Sequence, residues 1–155
     1  MFDFIRGLIE TPDDSIIGTV DFKRKVQWDG YSCGAKCVYA AIKHFDIDVD
    51  YDDVVDGVNT TEDGTSATPI VKYVRSVGLR AGWRQRMSIS QLKRALAGGS
   101  VAIVDLDGTH WAVVHAISDD WVWVADPVIR KFVPKMLRSQ FKARWRREAV
   151  VVGLR

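Results

Sequence analysis

The spacing of apolar positions changes partway along the chain, giving an early part with helical periodicity and a later part with extended periodicity. From Cys33 to Phe45 the residues Cys37, Ala40, Ala41 and Phe45 recur at helical intervals, which predicts a helix with one buried face. Ser32 stands just before this run, where an N-cap belongs. Tyr51 to Val58 suits a short helix, and Asn59 to Thr68 reads as a polar loop. Ile70, Val71, Val74 and Val77 stripe another helix, with Ser66 as its cap, Pro69 tolerated in its first turn and Gly78 as its stop. A strand is expected near Leu79 to Met87. A helix follows from about Ser90 to Ala97, with Leu92, Ala95 and Leu96 turned inward.

Beyond Gly98-Gly99 the pattern becomes β. Val101 to Leu106 is an apolar run of the kind found in a central strand. His110 to Ile117 and Trp121 to Ala125 are rich in Val and Trp, with Ser118-Asp119-Asp120 as the turn between them. Lys131 to Val133 and Ala149 to Val152 read as further short strands, with a helix over Leu137 to Arg144. Helices first and strands later predict an α+β fold, with N-terminal helices packed on an antiparallel sheet. Thr11-Pro12-Asp13-Asp14 interrupts the apolar residues around it. Residues 1–20 are therefore expected to be an N-terminal extension and 21–155 a single domain.

Composition narrows the classes. The 155 residues are 47% hydrophobic and 27% charged, which excludes a disordered, collagen-like or coiled-coil chain. A net charge of +2 is too small for a dedicated nucleic-acid binder. The charge is unevenly spread: 6 Lys and Arg stand against 14 Asp and Glu up to Asp63, and 16 against 6 from Gly64 onward. Two solvated faces, or a charged groove for a peptide, both account for this. No apolar run approaches the roughly 20 residues that span a bilayer, and the first ten residues lack the features of a secretory signal. Stable membrane insertion is not expected, and a cytoplasmic location is. The same features are compatible with delivery into another cell. Two cysteines do not make a disulfide framework.

Three residues carry candidate chemistry. Cys33 opens the first predicted helix, where unpaired N–H groups and the macrodipole favour a thiolate. His110 opens a strand and is a base for the thiol proton. Asp126 ends the next strand at Ala125-Asp126-Pro127, and a carboxylate there would fix the imidazole's tautomer. Strand parity tests the pair. A two-residue turn at Asp119-Asp120 pairs position 113 with 126 and puts Asp126 on the wrong face. A three-residue turn pairs 112 with 126 and puts it on the face of His110, one diagonal step away. The dyad thus requires a three-residue turn or a bulge. Gln27, six residues before Cys33, offers a side-chain amide to an oxyanion, alongside the Cys33 N–H.

These residues also carry a resemblance. Gln27-x5-Cys33-Gly34-x2-Cys37, Gly108-Thr109-His110-Trp111-Ala112-Val113-Val114 and Ala125-Asp126-Pro127 resemble the double-glycine leader peptidases. These are papain-like cysteine peptidases often fused to bacteriocin-exporting transporters. Gly64-Thr65-Ser66, Val77-Gly78-Leu79, Ser88-Ile89-Ser90-x-Leu92 and Phe141-x3-Trp145 extend the likeness over about Phe22 to Val152. It departs at Ser32, where the family often has Asp, and after Asp126-Pro127, where a Gly often follows soon.

The resemblance implies a papain-like fold with Cys33 as nucleophile, His110 as base, Asp126 as orienter and Gln27 as oxyanion donor. It makes Cys37 a core residue, and the chemistry calls for no cofactor and no metal. Trp28, beside Gln27, and Trp111, beside His110, are candidates to narrow a substrate cleft. The expected substrate is a peptide or protein, with small residues such as Gly-Gly before the scissile bond. A transporter or an immunity protein is a candidate partner. Two other readings keep the same constellation: a catalytically idle peptide-binding domain, and an acyl transferase or deamidase acting through the thiol.

Overall fold

The computed structural model describes residues 16–128 and 133–155. Among them are five helices: α1 (Cys33–His44), α2 (Tyr51–Gly57), α3 (Ala67–Ser76), α4 (Ile89–Ala97) and α5 (Arg138–Arg144). The strands are β1 (Ile17–Gly18), β2 (Arg80–Arg84), β3 (Val101–Leu106), β4 (His110–Ile117), β5 (Trp121–Ala125), β6 (Lys135–Leu137) and β7 (Trp145–Gly153). They form one antiparallel sheet in the order β2-β7-β3-β4-β5-β6, with β1 against the end of β4. The fold is α+β, as the order of helical and extended patterns predicts.

Alternation along the central strands explains the layers. Val101, Ile103, Val113, Val150 and Val152 face a core built with Val38, Ile42, Val54, Ile70 and Val74 from α1, α2 and α3. Ala102, Val104, Leu106, Val114, Val124 and Val151 face the other way, against Leu92 and Leu96 of α4 and Phe141 of α5. The N-terminal helices therefore cover one face and the later helices the other. A sheet buried on both faces needs apolar residues at every position of its centre, which is why β3 reads as a continuous apolar run. Full burial of a residue such as Ile103 stabilises the fold by roughly 1.5–3 kcal/mol.

Local signals set several boundaries. α4 begins at Ile89, because Ser88 and Gln91 form a capping box: the Gln91 N–H donates to Ser88 Oγ (3.1 Å) and the Ser88 N–H to Gln91 Oε1 (2.9 Å). The strand expected at Ala149 to Val152 runs further, from Trp145 to Gly153. Of the strand expected at Lys131 to Val133, the first two residues lie outside the described residues. Among the described residues an edge strand is found at Lys135–Leu137, where the Lys135 ammonium stands 4.5 Å from the ring centre of Trp121 and 5.3 Å from that of Trp123. Of the expected extension, residues 1–15 lie outside the described residues. Ile17 and Gly18 pair with Ile117 and Ala116 as β1. No helix among the described residues is long and apolar enough to cross a membrane.

Candidate active site

Cys33 is the first residue of α1 and is 8% exposed. Ser32 occupies the N-cap position, but its hydroxyl makes no capping bond. The Asp29 carboxylate orders the turn leading into the helix, accepting the N–H groups of Tyr31 (2.9 Å) and Ser32 (2.7 Å). Gly34 is required one step into the helix. A Cβ there would stand 2.8 Å from Thr65 Cβ and 3.1 Å from Trp111 Cδ1, so only glycine lets the first turn of α1 meet these side chains. Burial pushes the Cys33 thiol up. Hydrogen bonding to His110 and to the Trp111 N–H, the charge of His110 and the Gly34 N–H outweigh it, and the pKa is lowered. Cys37, one turn further along, sits in the core, where burial pushes its thiol well up.

His110 Nε2 lies 2.8 Å from Asp126 Oδ1, and both side chains are largely buried. The Nδ1 side is left for Cys33, which hydrogen-bonds the ring. Burial lowers the His110 pKa, but the bonds to Asp126 and Cys33 and their charges prevail and lift it to about 9. The parity requirement is met by a bulge. The turn has two residues, Asp119 and Asp120, and the pairing Ile117↔Val122 and Ala116↔Trp123 slips by one before Val114↔Val124 and Val113↔Ala125. Continued one step, this register sets position 112 opposite 126.

The segment before Cys33 braces the loop that carries Asp126. Arg24 Nη1 donates to the carbonyls of Asp126 (2.8 Å) and Val128 (3.0 Å). The Gln27 N–H donates to Pro127 O (2.7 Å), and Gln27 pairs with Val128 in a parallel bridge. The Val128 N–H donates to Asp126 Oδ1 (2.9 Å), fixing the carboxylate's rotation. Gln27 is 5% exposed, and its Nε2 donates to Asp29 O (2.7 Å). That bond uses one of the two protons on Nε2.

A cavity of about 240 Å³ opens beside Cys33 and His110 and is also lined by Tyr31, Thr65, Trp111 and Asp105. The Trp111 indole N–H donates to Thr65 O (2.9 Å), which holds the ring as a wall. Trp28 lines no described cavity and is 83% exposed. Gln27 likewise does not line the cavity. A larger cavity of about 760 Å³ reaches Asp126 from the side of β6 and α5, and neither Cys33 nor His110 lines it.

Asp105 and Asp107 flank Leu106 before the turn into His110, a local pattern that fits either a second carboxylate pair or, more simply, solvated loop-edge residues. Asp107 fits the loop edge, with its carboxylate paired to Arg144 at 2.8 Å. Asp105 does not: it lies opposite Trp111 in the sheet, half-buried against the cavity. Burial, then Glu148, raises its pKa, against bonds from the Gly108 and His110 N–H groups. Those bonds shape the turn entering His110. Only the β register places Asp105 there, and local polarity carries no such signal. Among the described residues no cluster of three or more His, Cys, Asp or Glu is placed to hold a metal ion.

Comparison with known proteins bears on the family and the fold. The model of the peptidase C39 family matches residues 21–154. Among curated proteins, the chain is 28% identical over 124 residues to FapD of Pseudomonas fluorescens, named as a functional amyloid protease. That match takes in 74% of this chain and 53% of FapD. It is 27% identical over 124 residues to LagD of Lactococcus lactis subsp. lactis, a lactococcin-G-processing and transport ATP-binding protein; 77% of this chain and 17% of LagD are covered. The chain thus spans about half of one relative and a small part of the other.

Among solved structures, a double glycine motif protease from an AMS/PCAT transporter, in complex with the leader peptide, superposes with a TM-score of 0.79. It is 17% identical, covering 89% of this chain and 95% of that one. The peptidase domain of Streptococcus ComA gives 0.76 at 19% identity, covering 86% and 99%. A C39-like peptidase from Bacillus anthracis gives 0.75 at 13% identity, covering 90% and 98%. The papain-like fold is common to them.

Proposed function

The chain belongs to the peptidase C39 family and is a cysteine peptidase, and from that premise we propose that it hydrolyses a peptide bond after small residues, of the Gly-Gly type, using Cys33, His110, Asp126 and Gln27. The observation that carries this reading is the His110 ring, hydrogen-bonded to Cys33 on one side and 2.8 Å from Asp126 on the other.

The Cys33 thiolate attacks the scissile carbonyl carbon. The carbonyl oxygen becomes an oxyanion and accepts the Cys33 N–H and the second proton of Gln27 Nε2. Protonated His110 gives its proton to the leaving amine as the C–N bond breaks. Water, deprotonated by the now neutral His110, attacks the thioester, and release of the acid restores the thiol pair. Asp126 holds the ring in place and stabilises its charged form throughout. Trp111 narrows the cavity beside Cys33, which suits residues without side chains. Exposed Trp28, beside Gln27, offers a platform for a longer peptide.

Support for this substrate class comes from a similar solved structure, a double glycine motif protease in complex with the leader peptide. A transporter or an export system that receives the trimmed product is the corresponding partner. The test is mass spectrometry of a synthetic leader peptide with a Gly-Gly joint, incubated with the full chain. Two fragments that together gain one water, lost in Cys33→Ala, support hydrolysis. A product without added water indicates acyl transfer, and an intact peptide with an unreactive Cys33 indicates an idle binding domain.

A further inference from the structure

The two-residue turn at Asp119-Asp120 sets Ile117 opposite Val122 and Ala116 opposite Trp123. Had that register continued, Asp126 would fall opposite Val113 and share its face, away from His110. The single extra residue in β4 is His115, and it returns Asp126 to the side of His110.

His115 is held from outside the hairpin. It is 4% exposed, and its Nδ1–H donates to Thr19 O (2.6 Å) while the Thr19 N–H donates to His115 O (2.9 Å). Phe22 stacks on the ring at 5.0 Å between centres. A Cβ on Gly18 would stand 2.4 Å from His115 O, and Gly18 has φ +97°, so glycine alone lets β1 lie this close.

We propose that His115 is a positioning residue whose bulge, clamped by Gly18 and Thr19, sets the face on which Asp126 meets His110. The inference rests on reading His110 and Asp126 as the working pair. A histidine that merely filled the core would need neither the reciprocal bonds to Thr19 nor a glycine against its carbonyl. The segment of residues 18–22, more than ten residues before Cys33, thereby becomes part of the support of the site.

The test uses the full chain with His115→Val, His115→Asn and Gly18→Ala, and Asp126→Asn as control. Two readouts need no peptide substrate: NMR titration of the His110 ring, and the rate of Cys33 alkylation by iodoacetamide at neutral pH. In His115→Val, His110 should titrate well below its value of about 9, toward the ordinary 6.5. Alkylation should slow about tenfold for each unit by which the Cys33 pKa rises. His115→Asn keeps a side-chain N–H for Thr19 O and should recover most of both. Gly18→Ala presses on the same bulge from the edge of the sheet, and should shift both readouts the same way even where His115→Val fails to fold.

A folded His115→Val or Gly18→Ala protein with lower Tm but unchanged His110 titration would overturn the inference while leaving the catalytic pair intact. An unchanged titration in Asp126→Asn would overturn the pair itself, and the inference with it.

Discussion

Asp126 Oδ1 receives two partners at once, His110 Nε2 at 2.8 Å and the Val128 N–H at 2.9 Å. The second bond fixes the carboxylate before any substrate arrives, and the first decides which imidazole nitrogen faces the sulfur. With Nε2 engaged, Nδ1 would carry the proton between Cys33 and a leaving amine in the proposed mechanism. The predictions below follow from this geometry and from the glycine contact at the start of α1.

The pH–rate profile should be a bell. Below the lowered Cys33 pKa the sulfur is protonated and attack slows. Above about 9 His110 has lost the proton that the leaving amine needs, and the rate falls again. In Asp126→Asn the basic limb should move downward, because the carboxylate that holds the imidazolium is gone. The measurement is kcat/KM against pH for both proteins, and coincident basic limbs would remove Asp126 from the assignment.

The two cysteines should react unequally. Iodoacetamide should alkylate Cys33 in the native protein and leave Cys37 untouched, since burial keeps the Cys37 thiol protonated and out of reach. Peptide mapping after brief labelling checks this. Equal modification of both residues in the folded protein would contradict it.

Removing the Gln27 amide should act on the chemical step. Gln27→Ala is expected to lower kcat by about 10²–10³, or roughly 3 kcal/mol of barrier, with little change in KM. Steady-state kinetics on the cleaved peptide decide it. A rise in KM at constant kcat would assign Gln27 to ground-state binding instead.

Gly34→Ala tests the close approach of α1 to Thr65 and Trp111. The new Cβ meets Thr65 Cβ at 2.8 Å and should destabilise the fold by about 1–3 kcal/mol. At roughly 2–4 °C per kcal/mol for a chain of this size, calorimetry should find Tm several degrees lower. Activity should fall as well, because the displaced turn carries Cys33.

Much of this fold is legible in local pattern, and the limits have physical causes. The strands His110–Ile117 and Trp121–Ala125 stand where their Val and Trp content and the turn residues put them. Parity alone asks for a three-residue turn or a bulge, and the structure has the bulge. Its place at His115 does not follow from parity, because the clamp comes from Thr19, 96 residues away in sequence. Ser32 stands at the N-cap as position suggests, but its hydroxyl makes no capping bond, while Asp29 folds back onto the N–H groups of Tyr31 and Ser32 just before the helix. Asp105 reads as a loop-edge residue until the sheet register sets it across from Trp111. The second helical layer is likewise invisible until α4 and α5 are seen to seal the face opposite α1.

The bracing of residues 126–128 by Arg24 and Gln27 couples two chores that are usually discussed apart. If His110 and Gln27 act as proposed, whatever shifts that loop disturbs the proton carrier's anchor and the oxyanion's donor in one movement. A molecule lodged against the Arg24 side of the loop, out of reach of Cys33, would therefore switch the enzyme off as a whole rather than retune one step of it.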